Sequence, residues 1–191
     1  MLVLLVGPSG AGKTTLMDNL CNRFGCELLS NFTSRPLRPG ERSRYYVAES
    51  DALSMHSRGE LEFLNEVFGN LYGTTKVDYA AALQSTQVFL FDIHWSHLYK
   101  IIDSANCILF LPGDTETELI ERLVAAGREE RIADVVEERK SVLALFGQLS
   151  SQKNVVCIDP SLRHVDDPVE WVMEHILAIL GSSLTSSKGN L

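Results

Sequence analysis

The chain begins with an apolar run, "LVLLV" at residues 2–6, that leads directly into a glycine-rich segment, "GPSGAGKTT" at 7–15. The second segment fits the pattern G-x-x-x-x-G-K-[ST], in which glycines allow backbone N–H groups to point inward around a phosphate. The amphipathic stretch that follows, "TTLMDNLCNRF", predicts a helix whose N-terminal dipole adds positive potential at the same place. Strand, loop and helix in this order predict an α/β fold of three layers with a parallel sheet core, the P-loop NTPase fold.

Each position of this loop has a chemical role. Lys13 is expected to reach the β and γ phosphates of a nucleotide and to act in catalysis, and the Thr14 hydroxyl is expected to ligate Mg²⁺. ATP and Mg²⁺ are therefore the predicted ligands. The predicted nucleotide-binding residues are Gly7, Ser9, Gly10, Gly12, Lys13, Thr14 and Thr15.

Short apolar runs alternate with helical stretches along the rest of the chain. The runs at 88–93, 107–112 and 155–159 are nearly continuous in Val, Ile, Leu and Phe, as are parallel strands covered on both faces. This alternation predicts βαβ units. Residues 27–73 break the pattern with short segments and turn residues, which predicts a small insert with antiparallel strands. Helices are expected at about 13–24, 51–58, 95–104, 115–126, 131–148 and 166–180.

The run "VFLFD" ends at Asp92, which places a carboxylate at the tip of a buried parallel strand. Open α/β sheets bind ligands at this edge, so Asp92 is expected to hold Mg²⁺ or a water molecule bound to it. The alternative is that Asp92 only caps the helix that follows.

Four arginines stand close together in an acidic chain of net charge −8. The segment "SNFTSRPLRPGERSRYY" at 30–46 contains Arg35, Arg38, Arg42 and Arg44, between prolines that stiffen it and a glycine that bends it. Guanidinium groups bind oxyanions with two parallel hydrogen bonds and are always charged. The segment therefore predicts a site for a second, phosphate-bearing ligand, although a solvated loop would also carry such charges.

The composition narrows the possible functions. An acidic balance argues against nucleic-acid binding, which needs a basic face. No apolar stretch is long enough for a membrane span or a signal peptide. The four cysteines have no CxxC spacing, which favours reduced thiols in a cytoplasmic protein without a zinc site. The Ser- and Gly-rich end, residues 181–191, is expected to be disordered.

These motifs, in this order, resemble those of the guanylate kinase family over about residues 1–150. "GPSGAGKTTL" is similar to its ATP loop, "TSRPLRPGE" to its TTRxPRxGE motif, and "GNLYGTTK" to its GNYYGT segment. "FLFDIH" is similar to its LDID strand, and "LPGDTETELIERL" to the opening of its lid. The resemblance implies one domain over 1–180, with an acceptor-binding insert of mixed α/β structure at about 31–75 and a helical, arginine-bearing lid at about 113–140.

The resemblance also implies roles for individual residues. Arg35, Arg38 and Tyr72 would hold the acceptor phosphate, and either Arg44 or Tyr45 lies near the place of a further phosphate-binding tyrosine. The lid arginines Arg122 and Arg139 would be catalytic. A third lid arginine of the family falls on Ala126, so that Arg128 or Arg131 would have to replace it. The expected acceptor-binding residues are Arg35, Arg38, Tyr45, Tyr72, Thr74, Asp92 and His94.

The chain departs from the family where the family reads guanine. The family's glutamate falls on Phe63, and Glu62 would point to the opposite face of a regular strand unless a bulge turned it inward. The family's second aspartate in LDID is His94 here, and a serine four residues before the first arginine is Asn31. The sequence thus predicts a retained phosphate clamp with altered base recognition.

The favoured function is transfer of the γ-phosphoryl group of ATP to a nucleoside monophosphate, with GMP favoured. A ribose 1,5-bisphosphate phosphokinase, or another sugar-phosphate kinase of this fold, is an alternative, because such enzymes lack the guanine-reading glutamate and often carry "GRE" in the lid, as at 127–129. A non-catalytic phosphate- or phosphopeptide-binding module is a second alternative, although such modules typically lose the ATP loop. The expected partner is a small-molecule phosphate acceptor, and the protein is expected to be a monomer or homodimer.

Overall fold

A computed structural model describes residues 1–38, 40–113, 115–158 and 166–186. The chain divides into two compact units, the first formed by Met1 with Glu27–Phe89 and the second by Leu2–Cys26 with Leu90–Leu191. The first unit includes the predicted insert and continues beyond it. In chain order the strands and α-helices are β1 Leu2–Val6, α1 Lys13–Phe24, β2 Glu27–Leu28, β3 Asn31–Thr33, β4 Arg44–Tyr46, α2 Glu49–Ser57, β5 Leu61–Val67, β6 Asn70–Thr75, α3 Lys76–Gln84, β7 Phe89–Asp92, β8 Cys107–Phe110, α4 Glu116–Ala125, α5 Ile132–Leu149, β9 Val155–Cys157 and α6 Pro168–Ser186.

The second unit is built on the predicted sheet core. Its strands follow the order β7-β1-β8-β9. Val3 pairs with Cys107 and Ile108 pairs with Val155, both in parallel register. Every residue of β1 and β8 is buried, as the unbroken apolar runs predict for strands covered on both faces. The predicted fold class, with a parallel sheet core, is confirmed.

Helices α4 and α5 pack on each other through a small apolar cluster of Leu119, Leu123 and Val135. Thr115 begins α4 with a capping box, because its hydroxyl accepts from the Glu118 N–H while the Glu118 carboxylate accepts from the Thr115 N–H. This pair of helices, with a single 3₁₀ turn between them, forms most of the segment that the sequence predicts as a lid.

The first unit contains a sheet of four strands in the order β4-β3-β6-β5. Strands β3 and β5 both pair with β6 in antiparallel register, but β3 and β4 are parallel. The expectation of an antiparallel insert is therefore wrong for one of its three strand pairs, because the long connection through the arginine segment returns the chain in the same direction. One face of the sheet packs through Phe32 and Leu61 on Ala52 of α2.

Strand β5 carries a bulge at the position where the sequence leaves guanine recognition open. Leu61 pairs with Thr75 and Phe63 pairs with Thr74, so that Glu62 is an extra residue without a counterpart on β6. Leu61 and Leu64 can thus both pack on the apolar cluster although they are three residues apart.

Three predicted segments differ from the observed elements. The predicted helix at 95–104 consists of two short 3₁₀ segments, Trp95–Lys100 and Ile102–Ser104, in a stretch rich in aromatic and β-branched residues with modest helix propensity. Helix α3 was not predicted. Helix α6 continues to Ser186, past the predicted end at 180, so that the expectation of disorder fails for 181–186; residues 187–191 lie outside the described residues.

Among the described helices, none combines the length and the apolar character needed to cross a membrane. Burial raises the pKa of the Cys107 thiol to about 12, which keeps this thiol protonated, as expected for a structural cysteine in a buried strand.

The close packing over Gly73 gives a test of the fold of the first unit. A Cβ at Gly73 would lie 2.6 Å from Phe32 Cε1 and 3.1 Å from the Phe63 carbonyl oxygen. Because Phe32 is fully buried, Gly73→Ala should lower the free energy of unfolding by about 1–3 kcal/mol. Gly147→Ala is the matched control, since Gly147 is exposed within α5 and a Cβ there would meet no atom within 4 Å. The control should raise that free energy by roughly 0.5–1 kcal/mol in chemical denaturation. A Gly73→Ala variant as stable as the wild type would contradict this packing.

Candidate active site

The glycine-rich loop of the second unit leaves the start of α1 open to an anion. Gly12, the residue before the helix, has φ +88°, a left-handed conformation that residues with side chains rarely adopt. Among the described residues, no side chain caps α1, and its first turn contains no acidic residue. The N–H groups of this turn are therefore available to a bound phosphate.

Lys13 and Asp92 come together beside this loop. The Lys13 ammonium donates to the carbonyl oxygens of Gly7 at 2.6 Å and Pro8 at 3.0 Å. The same nitrogen lies 3.8 Å from Asp92 Oδ1, and both side chains are largely buried. Asp92 is the last residue of β7, so the carboxylate stands at the tip of the strand, where the sequence places it.

Thr14 and Thr15 are exposed at the start of α1. Among the described residues, no three or more His, Cys, Asp or Glu side chains cluster in a way that could hold a metal ion. A Mg²⁺ ion that binds together with a nucleotide does not need three protein ligands. It usually takes one or two protein oxygens and completes its coordination shell with waters and substrate phosphates. The hydroxyl of Thr14 and the carboxylate of Asp92 are hard oxygen donors of the kind that Mg²⁺ prefers.

Three arginines from the predicted lid contact the glycine-rich loop. Arg131 Nη1 donates to Ser9 Oγ at 2.8 Å, and Arg128 Nη2 donates to the same oxygen at 3.3 Å. Arg122 Nη1 donates to the Gly10 carbonyl oxygen at 3.1 Å. Arg139 is half-buried on α5. Of the two predicted catalytic lid arginines, Arg122 thus reaches the loop, and both proposed replacements for the third reach it as well.

A buried carboxylate that the sequence analysis did not single out joins α5 to the loop. Glu138 is 7% exposed and accepts from the Ser9 N–H at 2.9 Å. Its other oxygen lies 3.4 Å from His94 Nε2 and 3.5 Å from Arg131 Nη2. Burial would raise the pKa of Glu138, but the contacts with His94, Ser9 and Arg131 lower it on balance.

The sequence contained a signal for this residue. The buried positions of α5 include Val135, Glu138, Val142 and Leu145, at the spacing of one helix face. A carboxylate in an otherwise apolar stripe is rarely buried without a partner. His94, predicted to contact the acceptor, is oriented by this carboxylate and by Ser96, which lies 2.7 Å from His94 Nδ1.

In the first unit, Glu41 holds two arginines in one cluster. Arg35 places Nη1 at 2.8 Å and Nη2 at 2.5 Å from the two Glu41 oxygens, and Arg44 Nη1 lies 3.0 Å from Glu41 Oε1. The Arg44 guanidinium also lies over the Tyr72 ring at 5.5 Å. We call these four residues, Arg35, Glu41, Arg44 and Tyr72, the arginine clamp.

Charge and burial oppose each other in this clamp. Burial would raise the pKa of Glu41, but hydrogen bonds from Arg35, the Arg38 backbone and Arg44 lower it to about 2. Burial would likewise lower the pKa of Arg35, but its bonds with Glu41 and Tyr72 raise it on balance. Glu41 and Arg35 therefore both stay charged at neutral pH.

Two predicted acceptor residues lie apart from the clamp. The Arg38 side chain is exposed, although its backbone N–H donates to Glu41 at 3.0 Å. The Tyr45 ring packs against Phe32 on the apolar face of the sheet. Tyr46 pairs with Thr33 and shares the face of Tyr72. Strand alternation therefore places Tyr45 on the face opposite that of Tyr72, and this placement needs the register of β4. A phosphate contact of Tyr45 stays a prediction.

Comparisons with known proteins agree with this geometry. The sequence model of the family described as guanylate kinase matches residues 1–159. A guanylate kinase of Aromatoleum aromaticum is 30% identical over 189 residues, which cover 95% of this chain and 88% of that protein. A guanylate kinase of Nitrobacter winogradskyi is 35% identical over 146 residues, which cover 73% of this chain but 66% of that protein, just under two thirds of its length.

Among solved structures, the guanylate kinase of Anaplasma phagocytophilum matches with a TM-score of 0.60 and 20% sequence identity. The match covers 96% of this chain and 85% of that one. At this identity the likeness concerns the fold alone.

The low pKa of Glu41 predicts how the clamp contributes to stability as pH changes. A carboxylate whose folded pKa is lowered from 4.5 to about 2 stabilises the folded state above pH 4.5 and loses this effect as pH falls towards 2. Glu41→Gln should therefore be about 1–3 kcal/mol less stable than the wild type at pH 6, and the difference should shrink towards pH 2. Denaturation over this range measures it, with Glu66→Gln, an exposed position of the same unit, as the matched loss of one charge. A wild-type advantage that stays constant with pH would contradict this assignment.

Proposed function

Because the chain belongs to the guanylate kinase family, we propose that it is an ATP-dependent phosphotransferase that moves the γ-phosphoryl group of ATP to GMP. The observation that carries this proposal is the presence in one chain of a complete phosphate loop and of the arginine clamp. The loop has its lysine, its strand-end carboxylate and its arginines in contact. The clamp offers a second phosphate two fixed guanidinium groups.

The loop and its arginines would serve the donor nucleotide. The α1 N-terminus and Lys13 would bind the ATP phosphates, with Ser9, Gly10 and Thr15 in the loop around them. Mg²⁺, held by Thr14 and Asp92, would neutralise charge on those phosphates. Arg122, Arg128 and Arg131 stand at the loop already, and Arg139 follows Glu138 on α5. Their positive charge would stabilise the charge that spreads over the phosphoryl group in transfer.

The clamp would hold the acceptor phosphate. Glu41 fixes Arg35 and Arg44 before a ligand arrives, so little side-chain freedom remains to be lost when a phosphate binds. Tyr72 would add its hydroxyl, and Arg38, whose side chain is exposed and whose backbone N–H donates to Glu41, would add its guanidinium. Thr74 would contact the part of the acceptor beyond its phosphate, and a contact of His94 with the acceptor remains a prediction from the sequence.

The two alternatives are less well supported. A non-catalytic module has no use for a complete phosphate loop with arginines in contact. The clamp could also hold the phosphate of a sugar phosphate. However, the similar proteins of Nitrobacter winogradskyi and Aromatoleum aromaticum are both named guanylate kinases. The expectations of a cytoplasmic protein, a monomer or homodimer, and no nucleic-acid or membrane partner rest on the sequence and remain predictions.

Lys13→Ala tests the nucleotide site. Loss of a charge that stabilises the transferring phosphoryl group should lower the rate of ADP formation with ATP and GMP by ~10³-fold or more. The fold should persist, because the Lys13 contacts within the described part of the chain are two loop carbonyls and the Asp92 carboxylate. Lys153→Ala removes the same charge at an exposed position and should leave the rate unchanged. A Lys13→Ala enzyme with near wild-type turnover would refute the role given to the loop.

Arg35→Ala tests the clamp. Removing one partner of a desolvated charge cluster costs about 2–5 kcal/mol, so GMP binding should weaken by about 10²-fold or more. ATP affinity should stay close to that of the wild type. Arg58→Ala, which removes an exposed arginine of the same unit paired with Glu60, should change neither affinity. Separate calorimetric titrations with GMP and an ATP analogue would show it, and equal losses for both ligands would exclude a separate acceptor site.

A further inference from the structure

One face of the four-stranded sheet in the first unit carries a row of mostly polar side chains. Asn31 pairs with Arg44 on β4, and Thr74 pairs with Phe63 on β5. The antiparallel register of β3 and β6 places Asn31 opposite Thr74. We call these four residues, Arg44, Asn31, Thr74 and Phe63, the central row. It faces away from the apolar cluster, because side chains alternate along each strand.

The next row on the same face contains the clamp tyrosine. Thr33 pairs with Tyr72, and Tyr72 pairs with Asn65. Tyr72 and Thr74 are two residues apart on β6, which is about 7 Å along a strand. Arg44 of the central row belongs to the clamp itself. A phosphate monoester bound at the clamp would therefore place the group it carries over Thr74 and Asn31.

Within the part of the chain that the structure describes, two neutral side chains of the central row each have a buried polar atom without a hydrogen-bond partner. Asn31 is 5% exposed and Thr74 is fully buried. Among the described residues, neither Asn31 Oδ1 nor Thr74 Oγ1 has a hydrogen-bond partner. A buried polar atom left unsatisfied costs about 1–3 kcal/mol, and most such atoms in native proteins are paired. Two of them side by side, on the clamp face, point to hydrogen bonds with a ligand.

The central row contains no carboxylate. Phe63 ends the row, and its ring meets the Tyr79 ring edge-on at 6.1 Å. Glu62, the nearest carboxylate in the sequence, is the extra residue of the β5 bulge and is exposed. The bulge needed to turn Glu62 inward is thus present, but it leaves Phe63, and not Glu62, beside Thr74.

An amide and a carboxylate form different hydrogen bonds with the edge of guanine that carries O6, N1 and the 2-amino group. Along one edge, guanine presents the O6 acceptor, the N1–H donor and the 2-amino donor. A carboxylate only accepts, so it suits the two donors, whereas an asparagine amide accepts one hydrogen bond and donates another. The amide therefore suits N1–H and O6 and leaves the 2-amino group unread. Hypoxanthine presents the same N1–H and O6 and lacks the 2-amino group.

We propose that Asn31, supported by Thr74, reads the N1–H and O6 edge of a 6-oxopurine monophosphate, and that the enzyme uses IMP about as well as GMP. This inference rests on the proposed function and refines its acceptor class. A site that bonds the 2-amino group would instead reject IMP strongly, since hydrogen-bonding sites can discriminate by up to 10⁴–10⁵-fold.

Initial rates with saturating ATP and varied GMP or IMP test the proposal. The kcat/KM values for the two acceptors should lie within about tenfold of each other in the wild type. Asn31→Leu and Thr74→Val should each lower both values, by a similar factor of about 10–10². Asn31→Asp keeps the shape of the side chain but replaces the donor towards O6 with an acceptor, so it should lower kcat/KM for IMP more than for GMP, whose 2-amino group can donate to the new carboxylate. Circular dichroism and chemical denaturation check that the first unit of each variant is folded, and titration with an ATP analogue checks the second unit.

Glu62→Gln is the matched control, and it should change neither kcat/KM nor the ratio of the two acceptors. Three results would overturn the inference: a wild-type preference for GMP of ~10³-fold or more, a selective loss of GMP use in Glu62→Gln, or unchanged rates in a folded Asn31→Leu variant. Failure of the proposed function would look different, because the wild type would then bind ATP but phosphorylate neither GMP nor IMP.

Discussion

Both parts of the candidate site depend on a carboxylate that is shielded from solvent and holds arginine side chains in place. Glu41 gathers Arg35 and Arg44 in the first unit. Glu138 gathers Arg131 and His94 in the second. Arginines brought together without a carboxylate would repel each other and leave guanidinium groups desolvated and unpaired. A chain of net charge −8 can thus keep concentrated positive charge at two chosen places.

The two carboxylates hold different things. Glu41 bonds only arginine and backbone groups of one segment, so it orders side chains that would otherwise sample many rotamers. Glu138 accepts from the Ser9 N–H and so ties helix α5 to the glycine-rich loop itself. Because Arg128 and Arg131 bond the Ser9 hydroxyl, one loop residue receives both the carboxylate and the arginines of the predicted lid. A bound nucleotide would compete with some of these hydrogen bonds. Nucleotide binding at the loop would therefore change the contacts of the predicted lid, because both segments meet at Ser9.

How much could be predicted from the sequence depended on whether a feature is encoded locally. The loop, its strand and α1 follow from adjacent residues, and the parallel core follows from unbroken apolar runs. The parallel pairing of β3 with β4, the position of Tyr46 and the bulge at Glu62 depend on register, which short strands specify weakly. The burial of Glu138 could have been predicted, because its spacing with Val135 and Val142 places it on the buried face of α5.

In the proposed site, phosphate binding and base recognition depend on different physical interactions. The clamp depends on charge: Arg35 and Glu41 are paired whatever the phosphate carries. The central row would select a base by the direction of its hydrogen bonds. At the place of the family's glutamate, which can only accept hydrogen bonds, this chain has Phe63, which neither donates nor accepts them. An apolar residue beside Thr74 also removes the cost of burying an unpaired carboxylate in the empty site. Asn31 and Thr74 are neutral. Leaving their buried polar atoms without hydrogen bonds in the ligand-free protein therefore costs less free energy than burying an unpaired charge would. Base selectivity can therefore change on this face while the arginine clamp and the phosphate loop remain intact.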